Sequence, residues 1–248
     1  MTQASDETTH FGFREVPKTA KAGLVREVFD SVAGRYDLMN DVMSLGVHRL
    51  WKQAFVHQVA PRTREKFIDL AGGTGDIAFA LGEAGADVTV CDYNAQMLQQ
   101  GRKRAADKGV TDGPLWVAGD AMALPFPSAS RDAITIAFGL RNVTEPAKAL
   151  SEIRRVLKPG GRFFCLEFSQ VAVPVLDQLY DAYSFNVLPR LGQWIAGDGD
   201  SYRYLAESIR RFPSQDRLLA MLGEAKFGQT GYRNLSGGIA AIHWGWRT

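Results

Sequence analysis

The sequence predicts an α/β fold built on a doubly wound, mostly parallel sheet of seven strands that ends in a reversed hairpin. Between residues 66 and 168, short apolar runs alternate with segments of helical spacing. Strands separated by helices pair in parallel through right-handed crossovers. After residue 226 this alternation ends, and two strand-like runs joined by a Ser-Gly-Gly turn indicate an antiparallel hairpin. We expect one domain over residues 19–248.

The individual elements follow from local signals. The predicted strands are 66–71, 87–92, 114–118, 131–138 and 161–168, with the hairpin at 226–233 and 238–246. Asn94 is a candidate cap for the helix after the second strand, and Gly109 follows the end of that helix. Thr144 is the candidate cap for the helix before the fifth strand, and Pro159-Gly160-Gly161 is expected to stop it.

The remaining segments divide the chain further. Residues 1–18 are polar and aperiodic, so we expect a disordered tail. Helical spacing predicts an N-terminal helical cap. The expected units are a cap at 19–60, a cofactor-binding core at 61–169, an aromatic-rich insertion acting as a lid at 170–213, and a terminal helix and hairpin at 214–248.

Composition excludes several classes of protein. The formal net charge is +2 and basic residues are scattered among acids, which gives no reason to expect nucleic acid as a partner. Cys91 and Cys165 fall within predicted strands and are expected to be buried, reduced thiols. Because no run approaches the roughly 20 apolar residues of a membrane span, we expect a cytoplasmic protein.

A glycine turn after the first parallel strand indicates a nucleoside site. Gly72, Gly73, Thr74 and Gly75 follow the buried strand, and the next strand ends in Asp92. Glycines let a ligand approach the main chain, and an acid at this spacing suits the two hydroxyls of a ribose. The run from 73 to 78 also fits the dinucleotide fingerprint, which leaves NAD open at this point.

Neighbouring acids favour a different nucleoside. The charges of Asp69 and Asp76 oppose a pyrophosphate and suit an ammonium group. Asp120, which together with Ala121 follows the third strand, is placed to accept a bond from an adenine amine. Two alternatives stay open: Asp76 as a helix-dipole partner and Asp120 as a helix N-cap. The helix stop at 155–161 and the terminal hairpin resemble those of Rossmann-like methyltransferases that use S-adenosylmethionine.

Four segments together resemble one family, the ubiquinone/menaquinone biosynthesis C-methyltransferases. They are the Arg-Tyr-Asp-Leu-Met-Asn-Asp run within 28–41, the glycine turn within 71–76, Phe-Gly-Leu-Arg-Asn-Val at 138–143 and Ser-Tyr-Arg-Tyr-Leu at 201–205. The resemblance implies S-adenosylmethionine as methyl donor and a polyprenylated hydroquinone as acceptor, yielding menaquinol, a C-methylated ubiquinone precursor, or both. It places donor contacts on Thr74, Asp92, Asp120 and Ala121. Ala137 departs from the serine frequent at that position.

Three residues are the candidates for catalysis. Arg141 and Asn142 follow the fourth strand on the ligand-bearing edge, where Arg141 would stabilise a developing phenolate and Asn142 would orient the ring. Tyr36 would line the methyl-transfer pocket, with its ring facing the cationic sulfur. A loop salt bridge and a helix-capping amide are the alternatives for Arg141 and Asn142. The general base is unassigned among Asp37, Asp41, His48 and His243, and the chemistry requires no metal.

An isoprenoid acceptor needs an apolar channel and access to lipid. The insertion supplies the aromatic and apolar side chains for a lid or tail-binding wall, namely Tyr180, Tyr183, Phe185, Val187, Leu188, Trp194, Tyr202 and Tyr204. Transient contact with the inner face of the membrane or with a quinone-synthesis complex is compatible with this, and a homodimer stays open. The competing interpretations are an NAD-dependent oxidoreductase and a cofactor-binding scaffold without turnover.

Overall fold

The computed structural model describes residues 7–32, 41, 44, 46–110, 112–171, 190 and 199–248. The described strands are β1 (Thr8–Phe11), β2 (Arg14–Pro17), β3 (Lys66–Leu70), β4 (Asp87–Asp92), β5 (Leu115–Ala118), β6 (Arg131–Ala137), β7 (Leu157–Phe168), β8 (Gly228–Leu235) and β9 (Ala240–Trp246). The described helices are α1 (Lys18–Val32), α2 (His48–Val59), α3 (Asp76–Glu83), α4 (Ala95–Asp107), α5 (Pro146–Val156), α6 (Gly199–Arg211) and α7 (Gln215–Glu224).

Seven strands form the predicted sheet, in the order β5-β4-β3-β6-β7-β9-β8. The pairs from β5 to β7 are parallel, and β9 runs antiparallel to both β7 and β8. The sequence prediction of a doubly wound sheet with a reversed terminal hairpin is therefore confirmed. The chain reverses its direction of winding between β3 and β6, which is where sheets of this kind bind ligands.

Apolar side chains cover both faces of the sheet. Along β3, Phe67 packs into one layer with α2, α3 and α4, whereas Ile68 and Leu70 pack into the other with α5 and α7. Because strand side chains alternate between faces, Asp69 shares the face of Phe67. Its register partner on β6 is Thr135. Two polar side chains thus lie inside an apolar layer, directly below the glycine turn.

The prediction of a disordered tail is wrong for residues 8–17. Strands β1 and β2 pair as an antiparallel hairpin, and Phe11 is buried with its ring stacked 4.1 Å from that of Tyr204. The carboxylate of Glu207 accepts a bond from the Phe13 backbone N–H at 3.0 Å. Short strands with little periodicity thus gain their stability from α6, far along the chain.

The helix ends confirm one cap and correct another. The Asn94 side chain accepts bonds from the N–H groups of residues 96 and 97, as a cap should. Thr144 does not cap α5: the N-cap position is Glu145, which makes no side-chain cap bond and pairs with Lys18 at 2.9 Å. Pro159-Gly160-Gly161 lies within β7 rather than at the stop, since α5 already ends at Val156.

Both cysteines are buried and free within strands β4 and β7, as predicted. Within the described ranges, no helix has the length and apolar character needed to cross a bilayer.

Candidate functional site

A crevice lies beside the carboxyl ends of the parallel strands, at the reversal between β3 and β6. Residues drawn from segments 70–73, 91–97, 119–122 and 138–144 line it. The inner face of α1 closes it on another side, through Ala22, Val25, Arg26 and Phe29. An adjoining cleft contains Asp69, Gly72, Thr74 and Asp76 and shares Ala71 and Phe138 with the crevice.

The glycine turn allows the backbone to pass closely over its neighbours. Gly73 and Gly75 have φ values of +54° and +87°, a region that disfavours residues with a Cβ atom. A Cβ atom on Gly75 would lie 2.7 Å from the Trp116 ring, and one on Gly72 would lie 2.7 Å from Oδ2 of Asp69. The glycines therefore serve internal packing as well as the approach of a ligand, and α3 begins immediately after them.

Asp92 ties the glycine turn to the next loop. Its Oδ2 accepts a bond from the Gly73 N–H at 2.9 Å, and its Oδ1 accepts one from the Asn94 N–H at 2.8 Å. Burial raises the pKa of this carboxyl, whereas the backbone N–H groups oppose that rise. Each carboxylate oxygen can accept a further bond, and the residue lines the crevice. Asp92 is therefore available to a ligand in the crevice, and its contact with a ribose stays a prediction.

Asp69 is the most unusual group of the site. It is 1% exposed, and its Oδ1 accepts a bond from the Thr135 hydroxyl at 2.9 Å. Its Oδ2 is buried without a hydrogen-bond partner among the described residues. Burial raises the pKa of this carboxyl to about 7; the Thr135 hydroxyl and the nearby Ala78 backbone N–H oppose the rise, and the charges of Asp92 and Asp76 add to it. Such an oxygen favours a cation over an anion as its partner.

Asp76 was expected to carry an uncompensated negative charge, but two cationic side chains compensate it. Lys52 Nζ lies 2.6 Å from its Oδ2, and Arg104 pairs with its Oδ1. Burial pushes the pKa of Asp76 upward, but the two cations outweigh it and the pKa lies below its ordinary value. The expected repulsion of a pyrophosphate by Asp76 is therefore wrong. Arg104 also donates to the Thr74 hydroxyl at 3.4 Å, which couples the turn to α4.

The segment after β5 lines the crevice, and its role as an adenine-binding loop stays a prediction. Asp120 and Ala121 both line it. Asp120 Oδ1 accepts the Met122 N–H at 2.8 Å, and no helix follows, so the N-cap alternative is wrong. Of the other predicted donor residues, Gly73 and Asp92 line the crevice and Gly72 and Thr74 line the adjoining cleft. Gly75 lines neither of them.

Arg141 is held in a buried ion pair. The residue is 8% exposed, and its guanidinium donates to Oε1 of Glu167 at 2.6 Å and to the Phe138 carbonyl at 2.6 Å. It also lies 5.4 Å from the centre of the Phe168 ring. Arg141 does not line the crevice. The geometry matches the salt-bridge alternative, and Glu167, which sequence reasoning missed, is its partner. Glu167 is an acid within the otherwise apolar end of β7, and this unusual position could have indicated a buried ion pair.

Asn142 lines the crevice, and its Oδ1 accepts a bond from the Tyr204 hydroxyl at 3.0 Å. Burial raises the pKa of Tyr204, so this phenol stays a neutral donor. Asn142 does not cap a helix. Tyr204 and its neighbour Tyr202 are buried in α6. Tyr204 thereby fixes the orientation of the Asn142 amide, a role that sequence reasoning missed.

The remaining candidates lie elsewhere. Tyr36 and Asp37 lie outside the described residues, as do the insertion side chains Tyr180, Tyr183, Phe185, Val187, Leu188 and Trp194. His48 is buried and pairs with Asp41 at 2.9 Å, and burial lowers its pKa. His243, on β9, bonds the Gln215 carbonyl at 3.1 Å. Neither histidine lines the crevice. No group of three or more possible metal-ligating His, Cys, Asp or Glu residues occurs in the described part of the chain.

A mostly parallel seven-stranded sheet with a reversed last strand, and acids at or near the carboxyl ends of three successive strands, defines the class as Rossmann-like methyltransferases. Solved structures share this fold. An S-adenosylmethionine-dependent methyltransferase of Thermotoga maritima, described as a possible histamine N-methyltransferase, aligns with a TM-score of 0.66 at 19% identity over 90% of this chain and 100% of that one. The YcgJ protein from Bacillus subtilis aligns with a TM-score of 0.55 at 25% identity over 75% of this chain and 70% of that one.

The family is narrower than the fold. Residues 15–247 match the model of the ubiE/COQ5 methyltransferase family, and the chain belongs to this family. The ubiquinone/menaquinone biosynthesis C-methyltransferase UbiE of Roseobacter denitrificans is 56% identical over the full length of both chains. The protein of the same name from Paracoccus denitrificans is 57% identical, again over the full length of both.

Proposed function

We propose that this chain transfers a methyl group from S-adenosylmethionine to a ring carbon of a polyprenylated hydroquinone in ubiquinone or menaquinone biosynthesis. The curated relatives carry names that state this pathway and this reaction type. The observation that carries the donor half of the proposal is the pair of carboxylates at the glycine turn. Asp92 lines the crevice, and Asp69 presents a buried oxygen without a partner among the described residues beside it.

The donor half assigns each acid a separate part of the nucleoside. Asp92 would accept hydrogen bonds from the ribose hydroxyls, and Asp69 would face the ammonium group. Asp120, beside Ala121, would accept a hydrogen bond from the adenine amine. Gly73 would let the main chain approach the ligand, with Gly72, Thr74 and Gly75 shaping the turn. When bound, S-adenosylmethionine supplies an electrophilic methyl group on a leaving group that needs no acid. The protein is then left to align the two substrates and exclude water.

The acceptor half rests on the segment after β6. Asn142, oriented by Tyr204, would hydrogen-bond a ring oxygen. Because Glu167 already compensates the charge of Arg141, Arg141 would act mainly by fixing segment 138–142, and it would add less phenolate stabilisation than a free cation. As the C–CH3 bond forms, the methyl–sulfur bond breaks to leave S-adenosylhomocysteine, and the ring carbon loses its proton to a base that is unassigned. Tyr36 keeps its proposed place in the methyl-transfer pocket on the resemblance alone. The insertion at 170–213 remains the proposed wall for the isoprenoid tail, and we propose that tail binding brings transient membrane contact.

Incubation with isotope-labelled S-adenosylmethionine and demethylated benzo- and naphthohydroquinones tests the proposal. Mass spectrometry should find one labelled methyl group on a ring carbon of at least one acceptor. Asp92→Ala should abolish most of this product. Asp87→Ala is the matched control, because Asp87 is an exposed acid at the opposite end of the same strand, and it should leave turnover unchanged. Donor binding without ring methylation would favour a scaffold, and binding of NAD instead would favour an oxidoreductase; either result overturns the proposal.

A further inference from the structure

Helix α1 crosses the crevice and is attached to both of its rims. Its inner face lines the crevice through Ala22, Val25 and Phe29. Its two ends bond to loops that follow different strands of the sheet. A nucleoside in the crevice would therefore lie between α1 and the carboxyl ends of the strands. The bonds at each end of α1 would therefore affect how easily a nucleoside enters and leaves the crevice.

The amino end of α1 is bonded to the segment that follows Asn142. Lys18 Nζ pairs with the Glu145 carboxylate at 2.9 Å. Lys21 Nζ donates to the Val143 carbonyl at 3.1 Å, and this lysine is only 6% exposed. These bonds hold α1 against the acceptor side of the crevice.

The other end of α1 is bonded to the loop after β4. Asp30 Oδ1 accepts a bond from Asn94 Nδ2 at 2.7 Å. One turn earlier, the Arg26 guanidinium lies over the Tyr93 ring, 4.7 Å from its centre. These contacts place α1 beside the segment that includes Asp92, on the donor side of the crevice.

Asp30 also reaches the donor site through a continuous series of hydrogen bonds. The bond to Nδ2 fixes which way the Asn94 amide points, leaving its Oδ1 to cap α4 at 2.9 and 3.1 Å. The Asn94 backbone N–H donates to Asp92 at 2.8 Å, and Asp92 in turn holds the Gly73 N–H at 2.9 Å. The series Asp30–Asn94–Asp92–Gly73 therefore joins α1 to a carboxylate that lines the crevice.

We propose that Asp30 is a positioning residue for the methyl donor: its bond to Asn94 holds α1 across the crevice and keeps the nucleoside from leaving. This inference rests on the proposed function, because it takes the crevice as the site of the adenosyl nucleoside. Asp30 itself touches neither the reacting atoms nor, by this proposal, the donor. Its loss should therefore act on the exchange of the nucleoside rather than on methyl transfer.

The rate of nucleoside release tests the proposal. The full chain is loaded with radiolabelled S-adenosylhomocysteine, chased with excess unlabelled ligand, and sampled by rapid filtration. Asp30→Ala should speed release about tenfold, the effect of losing one hydrogen bond to a charged group. Asp30→Asn keeps an oxygen that can accept from Asn94 but loses the charge, so release should be only about threefold faster than in the wild type. Glu27→Ala, which removes an exposed acid from the same helix, should leave release unchanged.

A second variant tests the same hydrogen bond from its other partner, in case Asp30→Ala does not fold. Asn94→Ser removes the donor to Asp30 but keeps a good cap for α4, so it should speed release as Asp30→Ala does. The double variant should be no faster than either single variant. Release at the wild-type rate in folded Asp30→Ala or Asn94→Ser would overturn the proposal while leaving the proposed function intact. Faster release in a protein that methylates neither hydroquinone would support this inference and overturn the proposed acceptor.

Discussion

Asp69→Asn should make the ligand-free protein more stable at pH 8 and make it bind S-adenosylhomocysteine more weakly. Asp69 is buried, and one of its carboxylate oxygens lacks a hydrogen-bond partner among the described residues. At pH 8 the carboxylate is ionised, which burial disfavours. Asparagine has nearly the same shape and no charge. The substitution therefore removes a destabilising charge together with the group that would face the ligand's ammonium.

The size of the effect follows from the pKa. Burial raises the pKa of Asp69 from 3.8 to about 7 in the folded protein. Between these values the folded state holds a proton that the unfolded state has released, so the free energy of unfolding falls as the pH rises through this window. Three pKa units correspond to about 4 kcal/mol. The new Nδ2 group needs a partner and costs about 1–3 kcal/mol if it lacks one, which leaves a net gain of about 1–3 kcal/mol at pH 8.

Urea unfolding followed by circular dichroism at pH 8 and pH 5 measures this gain. The gain should be present at pH 8 and should shrink or reverse at pH 5, where folded wild type carries a protonated Asp69. Asp132→Asn is the control: burial pushes the pKa of Asp132 up, but Lys158 outweighs burial and the net pKa is lowered, so this change should destabilise at pH 8. An equal effect of Asp69→Asn at both pH values, or a loss of stability at pH 8, would show that ionised Asp69 does not destabilise the folded protein.

The other predictions concern ligand affinity and turnover. Calorimetry should show that Asp92→Ala weakens S-adenosylhomocysteine binding at least about tenfold, while Asp87→Ala does not; equal affinities would remove Asp92 from the site. Wild-type affinity should fall about tenfold per pH unit below pH 7, because binding the ammonium requires Asp69 to lose its proton, and Asp69→Asn should abolish this slope. Arg141→Ala should lower both turnover and stability, the latter by about 3–5 kcal/mol, because Glu167 is left buried and unpaired. Arg141→Met combined with Glu167→Leu should recover stability but not turnover; recovered turnover would make the pair purely structural.

The sequence predicted those features that depend on neighbours along the chain. Strand positions, the parallel order and the reversed hairpin follow from apolar periodicity and turn residues. The placement of Asp92 and Asp120 follows from the rule that parallel strands present their carboxyl ends at one edge. The Asn94 cap follows from the preference of asparagine for that position. Each of these inferences depends on a pattern within a short stretch of the sequence.

The features that sequence reasoning missed are contacts between distant segments. The β1–β2 hairpin depends on Phe11 stacking against Tyr204, and no local pattern encodes that pairing. Glu145 stands at the helix N-cap in place of Thr144, and its carboxylate pairs with Lys18 instead of capping the helix. The charge of Arg141 is compensated by Glu167 at a sequence separation of 26 residues. Local spacing identified the chemically important residues but not the partners that set their charge.

A crystal structure of this chain with S-adenosylhomocysteine would show where the methyl donor binds. We expect the ribose hydroxyls within hydrogen-bonding distance of the Asp92 carboxylate, the ammonium group at Oδ2 of Asp69, and α1 closed over the nucleoside through Asp30 and Asn94. A nucleoside bound outside this crevice would be incompatible with these assignments. So would one bound in it with Asp69 still without a partner.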